Sequence, residues 1–241
     1  MNHTARSFSP DGTSRPRSLN DVLAESPWFS CLEEAERARL PAEIVVKTFP
    51  HGSYLTREGD PAAYWYGLID GFLKLQTTGK DGRCLILTTV CAGGWFGEGT
   101  LLKGDPYLYD AVAVAVPSTR VACVPAATFK RLAETSLAFN RFLATQLNER
   151  LGQFVGRFAA QTILSTDATV AQALGAVFNS RLYPAMKDHL TISQEEIANL
   201  SGISRPRCNE ALNHLKHAGL IQTGYGGVTI VDLRRLLMFD G

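Results

Sequence analysis

The sequence predicts an α+β chain in which an all-β sandwich or barrel is followed by a long helix and then by a helix–turn–helix unit with a β wing. Three observations carry this. Between Ala42 and Pro125 short β-prone runs alternate with Gly and Pro turns, the spacing of a sandwich or barrel. From Ala126 to Ser165 the pattern turns helical, and Leu143, Leu147, Leu151, Phe154 and Phe158 recur at spacings of four and three. In Thr191–Gly219 two short helical patterns meet at a glycine, and a hairpin signal follows them. The expected divisions are 1–18, a tail; 19–125, the β region; 126–165, the long helix; and 166–241, the helix–turn–helix unit.

Composition narrows the function classes. The chain of 241 residues is 45% hydrophobic with 12 Phe and 3 Trp, enough core for two domains. Net charge is +1, and the residues from Ser165 onward hold 7 Lys/Arg against 7 Asp/Glu, so any nucleic-acid contact needs a local patch rather than a global basic field. No run of 18 apolar residues is present and the N-terminus lacks the apolar core of a signal peptide, so neither a membrane span nor secretion is expected. The cysteines (31, 84, 91, 123 and 208) are scattered and odd in number, which reads as reduced, mostly buried thiols of a cytoplasmic chain. His3 and His51 are the only histidines before His189, so a metal-binding β-barrel enzyme lacks its ligands, and no nucleophile–base constellation is visible. The expectation is a protein with no catalytic residues, no metal and no cofactor.

Taken in order, Met1–Ser18 is rich in Ser, Pro and Arg and reads as a disordered tail carrying Arg6, Arg15 and Arg17. Asn20–Leu40 reads as helix anchored by Trp28, Phe29 and Leu32, with Pro27 interrupting it. The strand runs are 43–49, 53–56, 64–69, 71–78, 84–90, 110–116 and 119–124. The apolar seam of the long helix suits a partner helix, or packs on the β region. Ala168–Tyr183 reads as a further helix closed by Pro184.

The helix–turn–helix is the most specific stretch. Ser193 is placed as an N-cap and Glu196 completes a capping box. Ile197, Ala198 and Leu200 form the apolar side of the first helix, and Gly202 stands where the turn needs a left-handed backbone. Ser204 caps the second helix, and Pro206 falls in its first turn, where a missing N–H costs little. Cys208, Ala211, Leu212 and Leu215 mark a buried face at i, i+3, i+4 and i+7. Asn209, Glu210, Asn213 and His217 face the other way, flanked by Arg205 and Arg207. Such a helix sets its N-terminal residues against base edges in the DNA major groove. Its plain alternative is a helix pair in an ordinary core. The β-prone runs 220–222 and 228–231 around the Gly-rich turn 223–227 read as a wing.

The run ISQEEIANLSGISR at 192–205, the following L..LK..GLI, and VDLRRL after the hairpin resemble the C-terminal domain of the cyclic-AMP receptor protein and FNR superfamily of bacterial transcription regulators. The resemblance is strong over about the last 50 residues. Upstream, HG.YLTREGDPA..WYGLIDGFLKLQ, then G..LIL, then G.WFGEG.LL resemble that superfamily's cyclic-nucleotide-binding jelly roll, with Gly52, Gly59, Gly71 and Gly97 at its turns. The resemblance implies a jelly-roll effector domain, a long helix that packs on its copy in a second subunit, and a winged helix–turn–helix. It implies double-stranded DNA, a homodimer and RNA polymerase as partners. It assigns base contacts to Arg205, Asn209 and Glu210. Ser193 and Ser204 fall where helix N-termini meet phosphates. Arg207 is a flanking phosphate contact, and Asn213 lies on the same outward face. Pro206 and Glu210 replace the family's usual acidic residue and Arg, so the expected half-site differs from the cyclic-AMP receptor's.

The effector pocket departs further. In the family the pair matching Gly97–Glu98 meets the ribose of a cyclic nucleotide; here Glu98 binds a ligand or merely caps the next short helix. Where the family carries an Arg–Ser pair for the cyclic phosphate, this chain reads Tyr109–Asp110, and its adenine-facing Thr–Ser positions align with Phe154–Val155. The expectation is a cavity of Tyr109, Phe154, Val155, Trp95 and Phe96 that takes a small aromatic or apolar molecule or is filled by its own side chains, and that does not bind cyclic AMP or cyclic GMP. The effector itself is not specified. Cys31 is alone in the first 80 residues, against an iron–sulfur cluster, and no haem axial-ligand motif stands out. A redox, gas or haem sensor on the same fold is the runner-up.

Overall fold

The computed structural model describes residues 16–240 apart from Arg83, Val116 and Tyr225. Most of the expected tail, with Arg6 and Arg15, lies outside these residues. Its last residues are structured. Ser18 caps α1 (Leu19–Glu25) in a full capping box with Asp21, Arg17 pairs with Glu25, and the Arg17 carbonyl accepts from Arg120 Nη1 at 2.8 Å. The expected 20–40 helix is three helices. Pro27 ends α1 at Ser26 because the residue before a proline avoids the helical region. Helix α2 (Pro27–Ser30) and α3 (Glu34–Glu43) follow.

Among the described residues the β region contains eight strands: β1 (Val45–Pro50), β2 (Tyr54–Thr56), β3 (Tyr64–Asp70), β4 (Phe72–Thr78), β5 (Cys84–Cys91), β6 (Trp95–Phe96), then helix α4 (Glu98–Lys103), β7 (Asp110–Ala113) and β8 (Ser118–Pro125). They form two four-stranded antiparallel sheets, ordered β1-β8-β3-β6 and β2-β7-β4-β5, facing each other as a jelly roll. The expected 110–116 strand stops at Ala113, and β6 was missed because two residues show no period.

The expected continuous 126–165 helix is two helices, α5 (Ala126–Thr135) and α6 (Leu137–Ile163), divided at Ser136, whose side chain accepts from Phe139 N at 3.2 Å and so caps α6. Helix α7 (Thr166–Val177) is capped by Ser165 and ends six residues before Tyr183, short of the expected 168–183 span. The chain closes with β9 (His189–Thr191), α8 (Gln194–Ser201), α9 (Arg205–His217), β10 (Ile221–Gly224), β11 (Gly227–Ile230) and α10 (Leu233–Leu237). Strands β10, β11 and β9 make a three-stranded antiparallel wing.

Two apolar clusters hold the chain. One fills the barrel interior and continues into the packing of α7, α8 and α9. The other lies behind the β3 sheet, where Trp28, Trp65, Trp95, Phe129 and Phe139 pack edge-on or tilted with ring centroids 4.3–5.7 Å apart. Among the described residues no helix is long and apolar enough to cross a membrane. All five cysteines are free thiols, with Cys91, Cys123 and Cys208 buried and Cys31 and Cys84 exposed.

Candidate DNA-binding face and effector site

Helix α9 presents one face to the core and one to solvent. Cys208, Ala211, Leu212 and Leu215 are buried, and the Cys208 thiol lies 3.9 Å from the Gln194 carbonyl, tying α9 to α8. Opposite them Pro206, Glu210, Asn213 and His217 recur at i, i+4, i+7 and i+11 and are exposed. Arg205 and Arg207 are exposed at the N-terminal end, where the unsatisfied N–H groups and the helix dipole favour anions. Asn209 is half-buried beside this row, and its Oδ1 is enclosed without a hydrogen-bond partner among the described residues. It borders the row rather than crowning it.

The turn that aims α9 is built as expected at Gly202, which caps α8 at φ 71 and donates to the Ala198 and Asn199 carbonyls. The caps themselves differ. Ser193 Oγ accepts from Glu196 N at 3.1 Å, but the Glu196 carboxylate does not reach back. It meets Lys74 Nζ on β4 at 3.5 Å, fastening α8 to the barrel. Ser204 holds the N-cap position of α9 with its hydroxyl unbonded to the backbone, which leaves that oxygen exposed. Behind α9, His214 Nδ1 lies 2.7 Å from Asp167 Oδ2 on α7.

The barrel site differs more from expectation. Gly97 adopts φ 99 at the N-cap of α4, a conformation suited to glycine. Glu98 is buried and its carboxylate is fully engaged: Trp65 Nε1 donates to Oε2 at 3.3 Å and Arg150 Nε to Oε1 at 3.0 Å. Arg150 also donates through Nη2 to the Trp95 carbonyl. The Glu98 charge, with Tyr183 and Tyr109, holds the Arg150 guanidinium above its ordinary range against the opposing pull of burial. Tyr109 stands where the family has its arginine, yet α6 delivers a guanidinium to Glu98 across 52 residues.

The five expected pocket residues do not converge. Successive strand residues face opposite sides, so Phe96 enters the barrel and stacks on Tyr66 at 5.1 Å, whereas Trp95 joins the tryptophan cluster and donates from Nε1 to Ser26 Oγ at 2.8 Å. Phe154 and Val155 are exposed on α6 rather than turned into the barrel. Tyr109 stays at the barrel site beside Tyr107, at 6.3 Å between centroids, and burial, with the Glu98 charge, pushes its phenol up to about 12. Asp110 accepts from Glu58 N at 3.0 Å and fixes the neighbouring loop. Tyr66, Phe96 and Tyr107 occupy the barrel interior with their own rings.

An eight-stranded jelly roll joined through a long helix to a winged helix–turn–helix with an exposed second helix defines a DNA-binding transcription regulator. Residues 46–136 match the cyclic nucleotide-binding domain family and residues 160–239 the Crp-like helix-turn-helix domain family. The CRP-like cAMP-activated global transcriptional regulator of Mycobacterium tuberculosis is 26% identical over 221 residues, covering 90% of this chain and 98% of that protein. The transcriptional regulator LdrP of Thermus thermophilus is 27% identical over 195 residues, covering 79% of this chain and 94% of that one. The structure of FixK2 from Bradyrhizobium japonicum shares the fold at TM-score 0.69 and 20% identity, covering 82% of this chain and 98% of that one. This chain belongs to the Crp/Fnr superfamily of transcription regulators.

Proposed function

We propose that the chain is an effector-responsive, sequence-specific regulator that works in the cytoplasm as a homodimer on a palindromic operator, alongside RNA polymerase, and is not controlled by cyclic AMP. In this reading residues 19–125 sense, 126–165 dimerise and 166–241 bind DNA. The observation that carries it is the pairing of two unpartnered surfaces. The outward row of α9 offers Arg205, Glu210 and Asn213 to base edges, with Ser193, Ser204 and Arg207 at phosphates and Asn209 at the margin. The C-terminal half of α6 exposes Leu151, Phe154, Val155 and Phe158 at 59%, 62%, 57% and 67%, an apolar ridge that a second copy covers. Two recognition helices related by that axis match two half-sites.

The relative from M. tuberculosis is named as cAMP-activated. Three features support a different effector here. Tyr109 and Asp110 stand where the family places its phosphate-binding pair. Arg150 is neutralised by Glu98, which leaves no free cation at that turn among the described residues. Phe154 and Val155 offer an adenine no hydrogen bond. Calorimetric titration of the purified protein with cyclic AMP tests this: no binding at micromolar nucleotide is expected, and micromolar binding displaced by cyclic GMP overturns it.

A further inference from the structure

A cavity of about 670 Å³ opens where three parts of the chain meet. One wall is Leu87–Thr89 on β5, the edge strand of its sheet; another is the C-terminal half of α6; the third is α7 with Leu237 of α10. The volume falls in the range of small-molecule sites. Leu87, Phe154, Ala173, Ala176, Val177 and Leu237 make the lining largely apolar. Gly97, Glu98, Tyr109 and Asp110 do not line it, but Arg150, the partner of Glu98, does, so the cavity adjoins the barrel site described above.

Arg157 lines this cavity and has no counter-charge among the described residues. Its Nη1 donates to the Leu87 carbonyl at 2.8 Å, and Nη2 is buried with no hydrogen-bond partner among the described residues. No carboxylate among the described residues forms an ion pair with it. The other charged side chains in the walls are committed, Glu149 to Arg181 and Arg150 to Glu98. Burial pulls the Arg157 guanidinium below its ordinary range with nothing opposing. A half-buried cation without an anion favours a ligand that supplies one, and a planar guanidinium is matched by a carboxylate that accepts two hydrogen bonds at once.

We infer that this cavity binds a small organic carboxylate, its apolar body against α7 and Phe154 and its carboxylate on Arg157. This rests on the reading of the chain as an effector-responsive regulator and supplies the ligand class and place. The cavity is walled by both α6 and α7, and α7 is the helix on which α9 packs. An occupant there couples the barrel edge to the orientation of the recognition helix.

Decanoate is the probe. Calorimetry on the full chain should show saturable binding in the micromolar range, weakened about tenfold or more by Arg157→Gln, while decan-1-ol binds wild type and Arg157→Gln alike. Ala176→Phe, which fills the space and keeps the charge, should weaken both ligands, so the inference does not depend on one variant folding. No decanoate binding by wild type, or equal decanoate binding by Arg157→Gln, overturns the proposal. So does displacement of decanoate by micromolar cyclic AMP, which would mark a nucleotide site. Duplex binding by the ligand-free chain is measured separately. If DNA is held and decanoate is not, the carboxylate site falls and the regulator stands; if decanoate is held and DNA is not, the reverse.

Discussion

The two halves of α6 carry the same kinds of side chain to opposite ends. In the N-terminal half Phe139 and Leu143 are buried against Trp28, Trp65 and Phe129 of their own chain. From Leu147 onward, Leu147, Leu151, Phe154, Val155, Phe158 and Ile163 face solvent, the last at 78%. Helix periodicity says which face must be covered, not what covers it. The chain supplies the cover for the first half by folding α1 and α2 back over the β3 sheet. Nothing among the described residues covers the second, which is the physical case for a second copy. Arg150 stands at the junction, fastened to Glu98.

Substitutions in the two halves should separate folding from assembly. Phe139→Ala opens a hole in the tryptophan cluster and should cost about 3–5 kcal/mol, read as a fall in denaturation midpoint. At the junction, Arg150→Ala leaves the Glu98 carboxylate buried and unpaired, and a loss of about 3–5 kcal/mol is expected. The double change Arg150→Met with Glu98→Gln should recover part of it by removing the orphaned charge. If Arg150→Ala proves neutral, the ion pair is not buried in solution as it is here. Leu147→Asp with Leu151→Asp should instead leave the circular dichroism spectrum intact and shift sedimentation from two chains to one. Unfolding by that pair would mean that the ridge packs within its own chain.

The same contrast explains what the sequence made legible. The turn at Gly202 and the buried row Cys208–Ala211–Leu212–Leu215 were readable because they depend on local backbone conformation and helical period. The barrel was readable from strand spacing, and the exposed ridge from its spacing on α6. What escaped depends on distant contacts. Glu196 looks like half of a capping box until Lys74, 122 residues away, draws its carboxylate off. Arg150 has no local motif and becomes important only where α6 crosses the Gly97 turn. Trp95 was misplaced for a different reason: strand alternation separates it from Phe96, and a two-residue strand is too short to announce itself. The break at Ser136 was hidden because apolar positions continue on both sides of it.

Smaller effects sharpen the comparison between α9, which reaches outward, and α8, which is held inward. Arg205→Ala should cost about 1–3 kcal/mol of operator affinity and relax preference at one base pair, read by binding to a set of single-base operator variants. A uniform loss across all variants would reassign Arg205 to phosphate. The Lys74–Glu196 pair is partly exposed, with about a fifth of each side chain open to water, so Lys74→Ala should change stability by less than about 1 kcal/mol in thermal denaturation. A larger loss would mean that the pair, rather than the apolar contacts around it, docks α8 on the barrel.

The central claim is that one chain presents one recognition helix and that the α6 ridge brings two together on DNA. Sedimentation equilibrium of the protein on a selected operator duplex measures this directly. Two chains per duplex are predicted, falling to one or none when Leu147 and Leu151 are both changed to Asp. A stable complex of one wild-type chain per duplex would contradict it.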